Sequence, residues 1–134
     1  MQVTPDQIAD RVLVVGDPKR AESAAGLLEE VQKVGSNREY VTFTGKREGR
    51  RITVSSHGIG SAGAGICFEE LGALFVIASL HDIRAGGILT VDGNPTRAAQ
   101  DMSQYNPFRS VVEEGVSAML EIAIDALTRV EEPA

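Results

Sequence analysis

Val12-Leu13-Val14-Val15-Gly16-Asp17-Pro18-Lys19-Arg20 is the stretch whose reading decides the fold of this chain. Four consecutive apolar residues, three of them β-branched, make a short buried strand, and the Gly16-Asp17-Pro18 cluster ends it in a turn. Asp17 suits a helix N-cap. Pro18 suits the first helical position, where its missing N–H would have no intrahelical partner anyway. Ala21, Ala24, Ala25, Leu27 and Leu28 continue an apolar face, so the helix is expected to run to about Glu30.

Working outward, Val31 to Ser36, Tyr40 to Thr44 and Arg51 to Ser55 alternate apolar and polar residues, with Lys46-Arg47-Glu48-Gly49-Arg50 as a charged turn before the last. That spacing predicts a meander of three strands. The third strand runs into Ser55-Ser56-His57-Gly58-Ile59-Gly60-Ser61-Ala62-Gly63-Ala64-Gly65, a glycine-crowded strand-to-helix junction where backbone can approach a ligand closely. Ser61 to His81 reads as a helix, apolar nearly all round and therefore expected to be buried. Ile88 to Val91 reads as another strand, followed by Asp92-Gly93-Asn94-Pro95 and a polar loop to Pro107. Val112, Val116, Met119, Ala123, Leu127 and Val130 then recur at helical spacing, with Glu113, Glu114, Glu121, Asp125 and Arg129 off the stripe. Strands alternating with helices predict an α/β fold, a mixed β-sheet flanked by helices.

The 134 residues, at 14.3 kDa, suit one domain over 1–134. Apolar residues at 43% and charged residues at 24% fit a globular protein and exclude disordered or fibrous classes. The net charge of −6 repels phosphate backbones and anionic lipid, so neither nucleic acid nor membrane is expected as a partner, and any bound anion needs a local pocket. Leu71 to Leu80, the longest apolar run, is well short of the roughly 20 residues of a membrane helix. Residues 1–11 lack a basic start with an apolar stretch, and Cys67, the single cysteine, has no disulfide partner in the chain. A cytoplasmic location is the expectation.

Several positions are candidates for chemistry. The Gly16 turn followed by Arg20 fits an anion such as phosphate, and fits equally a capped connection with a solvated arginine. Gly58-x-Gly60-x-x-Gly63 satisfies the dinucleotide fingerprint as a string, but Asp92, the acidic residue placed after the next strand, lies 34 positions beyond Gly58 rather than the usual 20 or so. Ser36-Asn37-Arg38-Glu39-Tyr40 is an exposed polar turn whose Arg38 can reach another subunit. His57 has no nucleophile and orienting carboxylate around it in sequence, and Cys67 fits a small core residue. Glu69 and Glu70 interrupt an otherwise apolar helix, as a solvent-facing stripe would.

Taken together, VLVVGDPKRAE, SNREYVTFTGKREGRRITVSSHGIGSAGAGICFEEL, LFVIASLHDIRAGGILTVDGNP and VVEEGVSAMLEIAIDAL resemble the nucleoside phosphorylase family, nearest its uridine phosphorylases. The strings stand in the family's order and cover almost the whole chain. The resemblance implies phosphorolysis of a nucleoside such as uridine to free base and ribose 1-phosphate, with inorganic phosphate as co-substrate and no further cofactor. It matches Gly16 and Arg20 to the phosphate loop, and Arg38 to the arginine that one subunit inserts into its partner's phosphate site. Glu39 and Ile59 match a monovalent-cation site at a subunit interface. Glu70 belongs to the FEEL motif and, counted back from Leu74, also falls in register with the glutamate that grips the ribose hydroxyls; on the second match it completes an implied catalytic set of Arg20, Arg38 and Glu70. A homo-oligomer that binds phosphate and nucleoside follows from these matches.

The chain also departs from the family pattern. The central block between the FEEL-type and LFVIASL-type helices is absent, placing an apparent junction near Leu71 to Ala73. With it go an Arg-Val-Gly-Thr strand carrying a further phosphate arginine, the base-recognition loop and a Met-Glu-Met-Glu segment. A non-catalytic phosphate- or nucleoside-binding protein and a dinucleotide-binding module are the alternatives.

Overall fold

The computed structural model describes residues 3–58, 74–90 and 109–131. Val12–Val15 forms strand β1, Pro18–Ala25 helix α1, Glu29–Asn37 strand β2, Tyr40–Arg47 strand β3 and Arg50–Ser56 strand β4. Residues 74–80 are helical (α2), and Ser110–Arg129 is helix α3. The sheet order is β1-β4-β3-β2. The β2-β3-β4 meander is antiparallel, and β1 pairs parallel with β4, Val12 opposite Thr53 through Val15 opposite Ser56. This is the mixed β-sheet flanked by helices that the sequence predicts.

One sheet face carries the core. Val15, Ala21, Ala24, Leu28, Ile52, Val54, Leu120 and Ile124 form a buried cluster, with Leu13, Leu27, Phe43, Val116, Met119 and Leu127 packed against it. Of the predicted α3 stripe Val112 is buried and Val116, Met119 and Leu127 pack against the cluster, but the inward face is rotated toward Leu120, Ile124 and Thr128, which are buried and lie beside that stripe. Each fully buried aliphatic side chain contributes about 1.5–3 kcal/mol relative to exposure.

The other face is held by hydroxyls. Thr42, Thr44, Thr53 and Ser55 are buried, with Thr42 Oγ1 2.9 Å from Ser55 Oγ and Thr44 Oγ1 2.8 Å from Thr53 Oγ1. Thr44 donates to the Gln7 carbonyl (2.8 Å), and the Ala9 N–H donates to Thr53 Oγ1 (2.8 Å). A hydroxyl has one proton, so Thr44 can only accept from Thr53. The hydrogen bonds run from the Ala9 N–H through Thr53 and Thr44 to the accepting Gln7 carbonyl, and clip the N-terminal segment onto the sheet.

β1 is an edge strand where a buried one was expected, with Val12 41% and Val14 53% exposed and only Val15 buried, because the sheet order among the described residues leaves it a neighbour on one side alone. The structure corrects three further expectations. First, α1 ends at Ala25 rather than near Glu30. Leu27 and Leu28 donate to Ala24 and Ala25 in tight i→i−3 turns, and Glu29 enters β2, while both leucines keep their place in the core. Second, α2 is exposed where a buried helix was expected: Leu74, Val76, Ile77 and Leu80 are 54–77% accessible, and Ala78 is its buried residue. Third, residues 88–90 have no regular structure where a strand over Ile88–Val91 was predicted, and Val91 lies outside the described residues. The charged hairpin turn is as expected but narrower, centred on Glu48 (φ 51°) and Gly49 (φ 76°), the left-handed pair of a two-residue turn that matches strand twist.

Candidate functional site

Because β1 and β4 are parallel and in register, their C-terminal ends emerge side by side. The ladder continues past both strands. His57 N–H donates to the Val15 carbonyl and Gly58 N–H to the Gly16 carbonyl, each at 3.0 Å. The Gly16 turn and the Gly58 turn are therefore fixed against each other.

The β2–β3 hairpin is stitched to the same place. Ser56 Oγ accepts from the Val41 N–H at 2.9 Å and donates to the Glu39 carbonyl. Gly58, at φ 73°, sits so close to Glu39 that an added Cβ would meet Glu39 Cβ at 2.2 Å and Cγ at 2.8 Å. Arg38 occupies the same turn, exposed and at a left-handed φ of 54°. The fold thus gathers Gly16, Arg38, Glu39 and Gly58 at one end of the sheet, although 42 residues separate the first from the last.

Arg20 lies on the exposed first turn of α1. The amides around it are largely committed. Pro18 has none, Lys19 N–H donates to the Asp17 carboxylate (2.9 Å), and Ala21 N–H donates to the Asp17 carbonyl (3.1 Å). Asp17 supplies the negative charge that the helix end favours. An anion here is accordingly left the Arg20 guanidinium and the turn backbone, fewer amides than an uncapped helix offers.

His57 is half-buried. Ile59, Gly60, Gly63, Cys67, Glu69, Glu70, Asp92 and the junction near Leu71 to Ala73 lie outside the described residues. Glu39 is exposed, and its carbonyl accepts from the Ser56 hydroxyl. No group of three His, Cys, Asp or Glu converges as metal ligands among the described residues, and no described helix is long and apolar enough to cross a membrane. The alternation that flags β4 as a strand does not flag Ser56 or Gly58 as the residues that join the two turns.

No family model matches the chain. Individual relatives do. The chain is 38% identical over 71 residues to a purine nucleoside phosphorylase of Plasmodium falciparum, covering 53% of this chain and 29% of that protein. It is 41% identical over 70 residues to a uridine phosphorylase of Thermococcus kodakarensis, covering 52% and 25%. The crystal structure of uridine phosphorylase from Vibrio fischeri aligns at 37% identity with a TM-score of 0.42, covering 52% of this chain and 29% of that one. The chain thus spans between 25% and 29% of the length of these relatives. Over about half of its own length it is homologous to the purine nucleoside and uridine phosphorylases, a nucleoside-phosphorylase-like chain much shorter than its relatives.

Proposed function

We propose that this chain binds inorganic phosphate where the Gly16 turn enters α1, with Arg20 as the principal side-chain ligand, that nucleoside is its second ligand, and that the 134 residues alone turn over little or none of it. The observation that supports this reading is the Gly16 turn itself, which leads into the α1 turn bearing the exposed Arg20 and is held against the Gly58 turn at the C-terminal end of the parallel strands.

In the family reaction a phosphate oxygen attacks C1′ as the bond from C1′ to the base breaks, and the base leaves with the bonding electron pair. Charge developing on the ribose is met by the phosphate dianion, so the protein's work is positioning and electrostatics. Arg20 neutralises and orients phosphate. Arg38, exposed on a turn, serves the phosphate of a second copy, which makes the active assembly a homo-oligomer. Glu70 holds the ribose hydroxyls, and a monovalent cation sits at Glu39 and Ile59. The chain works in the cytoplasm.

Turnover is low because the further phosphate arginine and the base loop are absent from the sequence. Losing one charge-stabilising donor commonly costs about 10²–10³ in rate. The test is phosphorolysis of uridine and inosine at saturating phosphate by the chain and by Glu70→Gln and Arg20→Ala. Background rates are expected throughout; turnover like that of ordinary metabolic enzymes, abolished in both variants, overturns the proposal. A melting temperature raised by NAD and not by phosphate favours the dinucleotide alternative.

A further inference from the structure

The two outer strands of the sheet are finished differently. β2, at one edge, carries exposed Glu29, Glu30 and Lys33, and its pairing with β3 slips twice, between Glu29 and Gln32 and between Lys33 and Gly35. Charge and irregularity of this kind keep an edge from pairing with another chain. β1, at the other edge, has neither. It is four uncharged residues in unbroken register with β4, with no proline and no bulge.

The ladder fixes which backbone groups of β1 are spare. The Arg11 and Val15 carbonyls accept from the N–H groups of Thr53 and His57, on the β4 side, so in a parallel pair Leu13, two residues from each, also turns its N–H and C=O toward β4. Val12 and Val14 turn theirs outward, where no strand lies among the described residues. Their side chains, on the sheet face opposite the core, are exposed as well. The edge thus offers the donor and the acceptor of each valine. An identical strand, run antiparallel about a two-fold axis at Leu13, meets it with the same set: Val12 stands opposite Val14 of the partner subunit and Val14 opposite Val12 of the partner subunit, each pair exchanging both its N–H···O bonds. β-branched residues fit one another well across such a pair. The paired strands carry no charge, so what opposes the contact is the net charge of −6 on each copy, which salt screens.

We propose that β1 is a self-pairing edge, and that two copies of the chain join there into one sheet with four strands from each. Because β2 is blunted, the pairing closes at two copies instead of running on as a filament. It uses neither Arg20 nor Arg38 and stands whether or not phosphate binds. The test is amide hydrogen exchange of the full chain, followed residue by residue by NMR from micromolar to near-millimolar concentration, at low and high NaCl. The Leu13 amide, bonded to β4, should be protected at every concentration and reports that β1 is folded. Val12 and Val14 should exchange freely in dilute solution and slow by about tenfold or more as concentration rises, at lower concentration when NaCl is high. Val14→Pro removes an outward N–H and leaves the β4 ladder whole, so it should abolish the slowing at Val12 while Leu13 stays protected; Val14→Thr should retain it. Should the proline variant lose the Leu13 protection, Val14→Lys, a charge on the same edge, is read in its place. Exchange at Val12 and Val14 that is independent of concentration, fast or slow, overturns the self-pairing edge, as does slowing at Val12 that survives the edge substitution.

Discussion

The backbone of Gly58 lies flat against the side chain of Glu39, leaving no room for a Cβ between them, which would stand 2.2 Å from Glu39 Cβ. Gly58 is also left-handed at φ 73°. Gly58→Ala should therefore destabilise the fold by about 2 kcal/mol or more, part of it the left-handed backbone and part the clash. In a Glu39→Gly background the clash disappears, and the same substitution should cost only about 1–2 kcal/mol. Urea unfolding of the four proteins in this double-mutant cycle checks the coupling, and equal costs in both backgrounds would contradict it.

Thr53 is fully buried and donates a hydrogen bond from its hydroxyl to Thr44 while accepting one from the Ala9 N–H. Thr53→Val keeps the shape and strands the Ala9 amide, which should cost about 1–3 kcal/mol. Thr53→Ser keeps the hydroxyl and should cost less. Hydrogen exchange at Ala9 reads the clip directly: faster in the valine variant and protected in the serine variant.

The acid side of the stability profile has a contribution from the same segment. Hydrogen bonds from the Thr4 hydroxyl and then from the Asp6 backbone, with the charge of Arg51 as a smaller cause, hold the Asp6 carboxyl below its ordinary value. A carboxylate depressed in the folded state stabilises it above the unfolded pKa, near 3.9, and that stabilisation is lost as pH falls through the lower folded value. Asp6→Asn should flatten this part of the melting profile below about pH 4 and leave its shape at neutral pH unchanged. A wild-type slope in the variant would show that Asp6 takes no part.

Leu74, Val76, Ile77 and Leu80 leave α2 with apolar side chains in water. Contiguous exposed apolar surface marks an interface, and a second copy of the chain is the expected partner. Sedimentation should show a dimer or larger at micromolar concentration. Replacing Val76 and Leu80 by Lys should weaken association by about tenfold or more per residue, given about 1.5–3 kcal/mol for each side chain buried. A monomer at all concentrations would contradict the homo-oligomer.

Local signals carried much of the fold. The β-branched run of β1, the Asp17-Pro18 helix start and the Glu48-Gly49 turn each follow from neighbouring residues, and the structure has all three. Where tertiary packing decides, the pattern misleads. Leu27 and Leu28 prolong the helical stripe of α1, yet serve the core from a turn. The threonines of β3 and β4 alternate as a solvent face would, yet are buried under the N-terminal segment. The all-round apolar pattern of α2 signals a helix that needs cover without saying what covers it. The contact between Gly58 and Glu39 depends on strand register across 19 residues, so no local pattern announces it, whereas Gly16, Arg20, Arg38 and Glu39 stood out because their strings resemble a family.

The most direct test of the proposed phosphate site is the melting temperature of the chain against inorganic phosphate concentration, in wild type and in Arg20→Ala. Because a ligand that binds the folded form alone raises its stability by mass action, the wild type should melt progressively higher as phosphate rises. Arg20→Ala should lose most of that rise; a rise of the same size with and without Arg20 would contradict a phosphate site at the Gly16 turn.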